Sequence, residues 1–258
     1  MSVLKQFAVF DSHFHIIDTQ FPLVANNGYI PDEFTCEDYL QRTAGYTLCG
    51  GAVVSGSFQA FDQTYLLDAL NKLGPRFVGV TQLPATTSDD EIIHLHQAGV
   101  RAVRFNLWRG GSEKITRLAS MAHRIYELAG WHVELYVDAA ELNGLYNTLV
   151  NLPAVSIDHI GLSRAGLKTL TKLAEKGVRI KATGFGRVDF SVKDVLRDLY
   201  SANPESLMFG TDLPSTRAAV PYSDNDLLLV MDALPADAVE NVLNRNALSF
   251  YKLPVKTT

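Results

Sequence analysis

The feature that most constrains this chain is a unit that recurs eight times, a short apolar run of period two followed by a stretch of helical periodicity. The runs that read as strands lie near Phe7–Ser12, Gly51–Ser55, Phe77–Gln82, Val100–Phe105, Val133–Val137, Val155–His159, Val178–Thr183 and Leu207–Thr211. The helices between them carry their own punctuation. Ser88 with Glu91 reads as a capping box, and Gly99 closes that helix. Ser112 and Gly130 bracket a longer one, in which Ile115, Leu118, Ala119, Ala122, Ile125, Tyr126 and Ala129 form one apolar stripe. Gly74-Pro75 and Gly177 stop two more. The segment Phe21–Thr35 is the one long irregular stretch, and its place after the first strand predicts an active-site loop. Eight strands separated by helices is the count for a closed parallel (β/α)8 TIM barrel, so residues 1–258 are expected to form one α/β domain. An open doubly wound sheet alternates strand and helix too. Two observations favour the barrel: polar residues recur at the carboxyl ends of most strands, and no glycine fingerprint follows the first.

Composition narrows the partners. Lys+Arg 23 against Asp+Glu 28 gives a formal charge of −5, with no basic run, which argues against nucleic acid or an anionic membrane surface. An anionic small molecule must then meet local arginines. No apolar run is long enough to span a bilayer, and the strand-like FAVFD starting at Phe7 leaves no room for a signal peptide. Cys36 and Cys49 match neither a zinc spacing nor a disulfide framework and read as buried thiols in a reducing, cytoplasmic setting. Monomer and homo-oligomer are both compatible with this surface.

Strand alternation predicts that in FDSHFH the side chains of Asp11, His13 and His15 share one face, with Ser12 and Phe14 on the other. A bare H-x-H is weak: His94 and His96 repeat the spacing on a predicted helix, where residues two apart do not face each other. His159 ends the sixth strand, sharing a face with Val155 and Ile157, and is either functional or a core histidine bonded to a carbonyl. Asp212 ends the eighth strand and is either functional or a helix cap. Barrel closure would bring Asp212 to His13 and His15, with His159 across the mouth. A carboxylate among imidazoles can deprotonate water, and the same four groups can ligate a divalent metal. The fourth strand places Arg104 and Asn106 on one face, with Arg109 just beyond, and GFGR brings Arg187 over the mouth after the seventh. Three arginines near one rim suit capture of carboxylates. On the polar face of the fifth strand only Tyr136 and Asp138 reach the carboxyl end; His132 starts the strand, where polar groups serve stability. Gly110-Gly111 and GFG are weak phosphate signals.

The combination of DSHFH at the first strand, DHIG at the sixth, GTDLP at the eighth and NALSFYKL at the end resembles the amidohydrolase superfamily, over almost the whole chain. YIP after the first strand, VRFN and KATGFGR resemble its branch of lactonases for 2-pyrone-4,6-dicarboxylate and sugar lactones. The resemblance implies hydrolysis of a lactone by water without an obligatory metal. It implies Asp212 as general base, His13, His15 and His159 positioning water and polarising the carbonyl, and Tyr29, Ser57, Arg104, Tyr136 and Arg187 holding the substrate. Metal-dependent members usually have a histidine ending the fifth strand, where this chain has Tyr136 and Asp138, and no lysine ends the fourth. No cofactor is therefore expected to be required, and zinc or manganese would bind weakly, if at all, through His13, His15, His159 and Asp212. Leu213 replaces a usual tryptophan and is followed by Ser215 and Thr216, which implies a differently shaped pocket. The expectation is a hydrolase opening a small carboxylated lactone. The alternatives are a metal-dependent amidohydrolase or decarboxylase and a barrel that binds a small acid without turning it over.

Overall fold

Each alternating run forms a strand in the computed structural model, which describes residues 3–253. The strands are β1 (Ala8–Phe14), β2 (Thr47–Val54), β3 (Phe77–Thr81), β4 (Val100–Asn106), β5 (His132–Tyr136), β6 (Val155–Ile157), β7 (Arg179–Ala182) and β8 (Leu207–Phe209). Each pairs in parallel with the next, in chain order, as a TIM barrel requires. Helices α1 (Cys36–Arg42), α2 (Thr64–Leu73), α3 (Asp89–Gln97), α4 (Leu118–Ala129), α5 (Leu142–Leu149), α6 (Leu167–Glu175), α7 (Val192–Ala202) and α8 (Asp224–Ala233) follow the strands. Alternation sorts the strand side chains into two layers. Val53, Val103, Val133, Leu135, Ile157, Ile180 and Phe209 join the buried faces of the helices in one large apolar cluster. Phe10, Ala52, Val54, Val78, Val80, Ala102 and Met208 form a second with Ala247, Leu248 and Tyr251 of the last helical segment. That segment supports the amino end of the barrel: Asn244 Nδ2 donates to Ala8 O, and Asn246 Nδ2 to Pro204 O and Leu207 O. The NALSFYKL motif is thus a scaffold element.

The seam between the last strand and the first is built beyond the ladders. Asp212 N donates to His13 O and His15 N to Leu213 O, each at 2.7 Å. Beneath them the buried carboxylate of Asp11 accepts from Thr211 N at 2.8 Å, Thr211 Oγ1 at 2.6 Å, His13 N at 3.2 Å and Tyr39 Oη at 3.2 Å. Asp11 also corrects the sequence expectation, because it does not share a face with His13 and His15. A register shift between Asp11 and Phe14 marks a bulge in β1. Asp11 and Phe14 both meet Tyr39 of α1, Phe14 by stacking at 3.8 Å, while His13 and His15 turn inward. An extra residue at a bulge re-aims the side chains after it, a device that period-two reading does not see.

Smaller expectations fare unevenly. Ser88 caps α3 by accepting from Glu91 N at 3.2 Å, whereas Ser112 caps no helix: its hydroxyl accepts from Asn106 N, and α4 begins only after a 3-10 turn at Ile115–Arg117. Leu118, Ala122 and Ile125 of the α4 stripe are buried, but Ile115 and Tyr126 at its edges are 37% and 39% exposed. His94 is exposed and His96 accepts from Trp131 Nε1, away from the mouth. Cys36 is buried, but Cys49 only half-buried, and both are free thiols. No helix among the described residues is long and apolar enough to cross a membrane.

Because Asp11 gathers donors from β1, α1 and the strand that closes the barrel, Asp11→Ala is expected to destabilise the fold by about 1–3 kcal/mol for each donor it leaves buried and unpaired. Asp232→Ala, which removes an exposed partner of Lys193, should leave the unfolding midpoint nearly unchanged. Urea unfolding of the two variants checks the contrast.

Candidate active site

The barrel interior is apolar on one side and polar on the other. From β4 to β7, alternation brings Arg104, Glu134, Tyr136, Ser156, Asp158 and Lys181 inward, all buried. Three carboxylates among them and at the mouth, Glu134, Asp158 and Asp212, meet three cations. Lys181 Nζ bonds Glu134 Oε2; Arg104 Nε and Nη2 both lie 2.9 Å from Asp158 Oδ2; Arg187 Nε lies 2.7 Å from Asp212 Oδ2. At the amino end His132 Nε2 lies 3.0 Å from Glu134 Oε1, consistent with the stabilising role expected of it. Burial raises the Glu134 carboxyl, but Lys181 and His132 outweigh it and hold its pKa at about 2. Asp158 is likewise depressed, with Arg104 and Lys181 overriding burial.

Asp212 behaves differently. Burial lifts its carboxyl above the ordinary range, and Arg187 offsets this only in part. Its Oδ1 has no hydrogen-bond partner among the described residues and lies 3.9 Å from His15 Nε2 and 4.0 Å from His159 Nε2. Burial keeps all three imidazoles uncharged: His15 falls to about 3, and His13 and His159 lie well below their usual value. His15 Nδ1 lies 2.7 Å from Val54 O, and a carbonyl only accepts, so the proton is on Nδ1 and Nε2 turns a lone pair toward Asp212. Two lone-pair atoms facing one another require a donor between them. A water bridging the two would satisfy both and lie beside a base.

Strand exits make this geometry. Val155 and Ile157 belong to the outer layer, so continued alternation would point His159 outward, contrary to the face expected to be functional. The backbone instead leaves the strand through left-handed residues, His159 at φ 51° and Ile160 at φ 50°, and turns the imidazole inward. Asp212 is also left-handed, at φ 62°. Non-glycine residues held there are strained, and such strain clusters at functional sites. Gly184 leaves the room this needs, since a Cβ there would lie 2.5 Å from His159 Nδ1.

The open cleft above is about 360 Å³. Of the residues singled out in the sequence, His15, Ser57, Arg104, Arg109, Tyr136, His159 and Arg187 line it, and His13 and Asp212 lie at 0% and 1% exposure within the same cluster. His13 packs edge-on against His15 and His159 at 5.1 and 4.8 Å. Tyr29 does not line the cleft; Arg217, which does, stacks on its ring at 4.2 Å. Asp138 caps the turn after β5 through Ala140 N, outside the cleft. Sequence reading did not assign Asp158, Phe58 or Arg217 to the site, and it placed Asn106 beside Arg104 and Thr216 in the pocket wall without giving either a role. Asp158 was findable, since alternation from outward-facing Ile157 points it inward; Arg217 sits on a loop with no periodic signal. Arg104 and Arg187 each hold a carboxylate of the chain itself. The cleft's other two arginines, Arg109 and Arg217, have no carboxylate partner among the described residues. The loop after β1 is pinned to both, because Asn26 Nδ2 donates to Arg109 O and Asn26 Oδ1 accepts from Arg217 Nη1.

Among the described residues, two groups of side chains offer ligand atoms within 4.8 Å of one another, His13 with His159 and Asp212, and His13 with Glu134 and Asp158. His15 is outside both.

The sequence profile of the amidohydrolase family matches residues 10–253. The chain is 30% identical to a 2-pyrone-4,6-dicarboxylate hydrolase of Comamonas testosteroni over 156 residues, 58% of this chain and 51% of that enzyme, so it aligns with about half of that relative's length. It is 26% identical to a 4-sulfomuconolactone hydrolase of Rhizobium radiobacter over 240 residues, 84% of this chain and 80% of the relative. The crystal structure of a probable 2-pyrone-4,6-dicarboxylic acid hydrolase from Acinetobacter baumannii, with citric acid bound, superposes with a TM-score of 0.82 at 22% identity, covering 95% of this chain and 99% of that one. With the profile spanning nearly all of the barrel, the chain belongs to the amidohydrolase family.

Proposed function

We propose that the protein hydrolyses a small lactone bearing at least one carboxylate, with Asp212 as the general base for the attacking water. The observation that carries this reading is Asp212 Oδ1, a buried carboxylate oxygen without a partner, faced by the lone pair of His15 Nε2 at 3.9 Å. Arg187 fixes the other oxygen, so the base is held in one orientation. Water between Asp212 and His15 would attack the lactone carbonyl, giving its proton to Asp212. The oxyanion would be met by imidazole N–H groups and by the Arg104 guanidinium, which lies over Tyr136 at 5.0 Å. Asp212 would return the proton to the ring oxygen as the carbonyl–oxygen bond breaks. Arg109 and Arg217 on the cleft wall would take the substrate's carboxylate. The lactone hydrolases among the relatives support the same chemistry. Two free thiols suit a reducing, cytoplasmic setting.

In this reading no metal is required. His13, His159 and Asp212 supply three ligand atoms, and the unpartnered His13 Nε2 and Asp212 Oδ1 would suit a cation. The charge around them does not. Arg187 already bonds Asp212, Lys181 Nζ lies 3.4 Å from His13 Nδ1, and three carboxylates are balanced by three cations. A dication would add two charges to a neutral cluster, and Tyr136 ends the fifth strand in place of a further ligand. The donor trio sustains the metal-dependent hydrolase as the second reading.

Proton release from a panel of carboxylated lactones, 2-pyrone-4,6-dicarboxylate and sugar lactones included, separates the two. Hydrolysis by enzyme purified and assayed in chelator is expected; hydrolysis that appears only with added zinc or manganese would favour the second reading. Asp212→Asn should lower kcat by about 10²–10⁴-fold. Because the base must be ionised, kcat/KM should fall at acid pH with a limb above the ordinary carboxylate range. Arg187→Ala should move that limb to still higher pH, since the cation that favours the charged carboxylate is gone.

A further inference from the structure

Lys181 is a fully buried ammonium that the reaction just described does not use. It projects from β7 beneath the cleft, and its Nζ bonds Glu134 Oε2, lies 3.4 Å from His13 Nδ1 and 3.8 Å from Asp158 Oδ1. Glu134 is fixed in turn, its Oε1 accepting from Tyr251 Oη at 2.6 Å and lying 3.0 Å from His132 Nε2. The ammonium is thus anchored on a carboxylate that cannot turn away, with His13 as its next neighbour.

An ammonium has protons to give and no lone pair. The ring atom it faces must accept, so Nδ1 of His13 carries the lone pair and an uncharged imidazole keeps its proton on Nε2. Without the ammonium the opposite tautomer would be favoured, since Asp158 Oδ1, which has no hydrogen-bond partner among the described residues, lies 3.5 Å from the same Nδ1. A proton on Nδ1 would satisfy that carboxylate oxygen and leave Nε2 with a lone pair beside Asp212. His13 Nε2 is itself buried and unpartnered, and the ring lies against His159 and Asp212.

We propose that Lys181 is a positioning residue that fixes His13 as the Nε2–H tautomer, so that this imidazole presents a donor to the reacting centre while His15 presents an acceptor. Two neighbouring histidines thereby take opposite parts, each set by the partner of its Nδ1: a carbonyl for His15, an ammonium for His13. The catalytic consequence rests on the lactonase reading; the tautomer does not.

The test is ¹⁵N spectroscopy of the histidine rings in the whole protein, joined to steady-state kinetics. Wild type is expected to show His13 protonated on Nε2. Lys181→Met should move the proton to Nδ1 and lower kcat by about 10²–10³-fold, the cost of one donor to an oxyanion, with KM within about twofold. Should the single variant fold poorly with Glu134 unpaired, Lys181→Met with Glu134→Gln removes both charges together and is expected to show the same switch. A wild-type His13 protonated on Nδ1, or folded variants that keep the Nε2 proton or the full kcat, would overturn the proposal. A tautomer switch in a protein that hydrolyses no lactone would uphold the assignment and count against the lactonase reading alone.

Discussion

A carboxylate stays ionised inside a barrel only when cations or several hydrogen-bond donors are buried with it, and the arrangement of this interior follows from that requirement. Glu134, Asp158 and Asp212 are each matched by one cation, Lys181, Arg104 and Arg187. The matching is uneven in a useful way. Glu134 and Asp158 are held below their ordinary range, which makes them poor bases and steady anchors. Asp212, with a single guanidinium on one oxygen and nothing on the other, is lifted above it and is the carboxylate of the three best suited to accept a proton. With Arg104 and Arg187 enlisted in this balance, Arg109 and Arg217 are the cleft arginines without a carboxylate partner among the described residues, which is why the proposed reaction gives them the substrate's carboxylate.

Backbone irregularity converts that interior into a site. A regular β1 would set Asp11 with the histidines; the bulge sends Asp11 to the barrel seam and frees His13 and His15 to face inward. A regular β6 would hide His159 in the outer layer; two left-handed residues bring it round. Strain at His159 and Asp212 is sustained by the packed barrel beneath them and by Gly184, whose missing side chain leaves space for the imidazole.

This division explains what was legible in the sequence. Eight strands, their order and most inward-facing residues follow from alternation, which registers one atom pattern repeated along each strand. His13, His15, His159 and Asp212 stand out in the sequence because they end strands, and the structure brings them together, although regular alternation would have put His159 on the outer face. Alternation fails where the chain departs from it, at the bulge after Asp11 and at the exits from β6 and β8. It also cannot foresee which arginine neutralises a buried neighbour: Arg104 of β4 meets Asp158 just past β6, a pairing 54 residues apart in sequence. Arg217 lies beyond β8 and reaches the cleft only because Asn26, 191 residues earlier, receives it.

The central claim is that Asp212 activates water and never bonds to the substrate. Single-turnover hydrolysis in H₂¹⁸O, with enzyme in excess, tests it directly by mass spectrometry of product and protein. The account predicts ¹⁸O in the new product carboxylate and none in the peptide containing Asp212. Label in Asp212, with unlabelled product from that first turnover, would make Asp212 a nucleophile and contradict it.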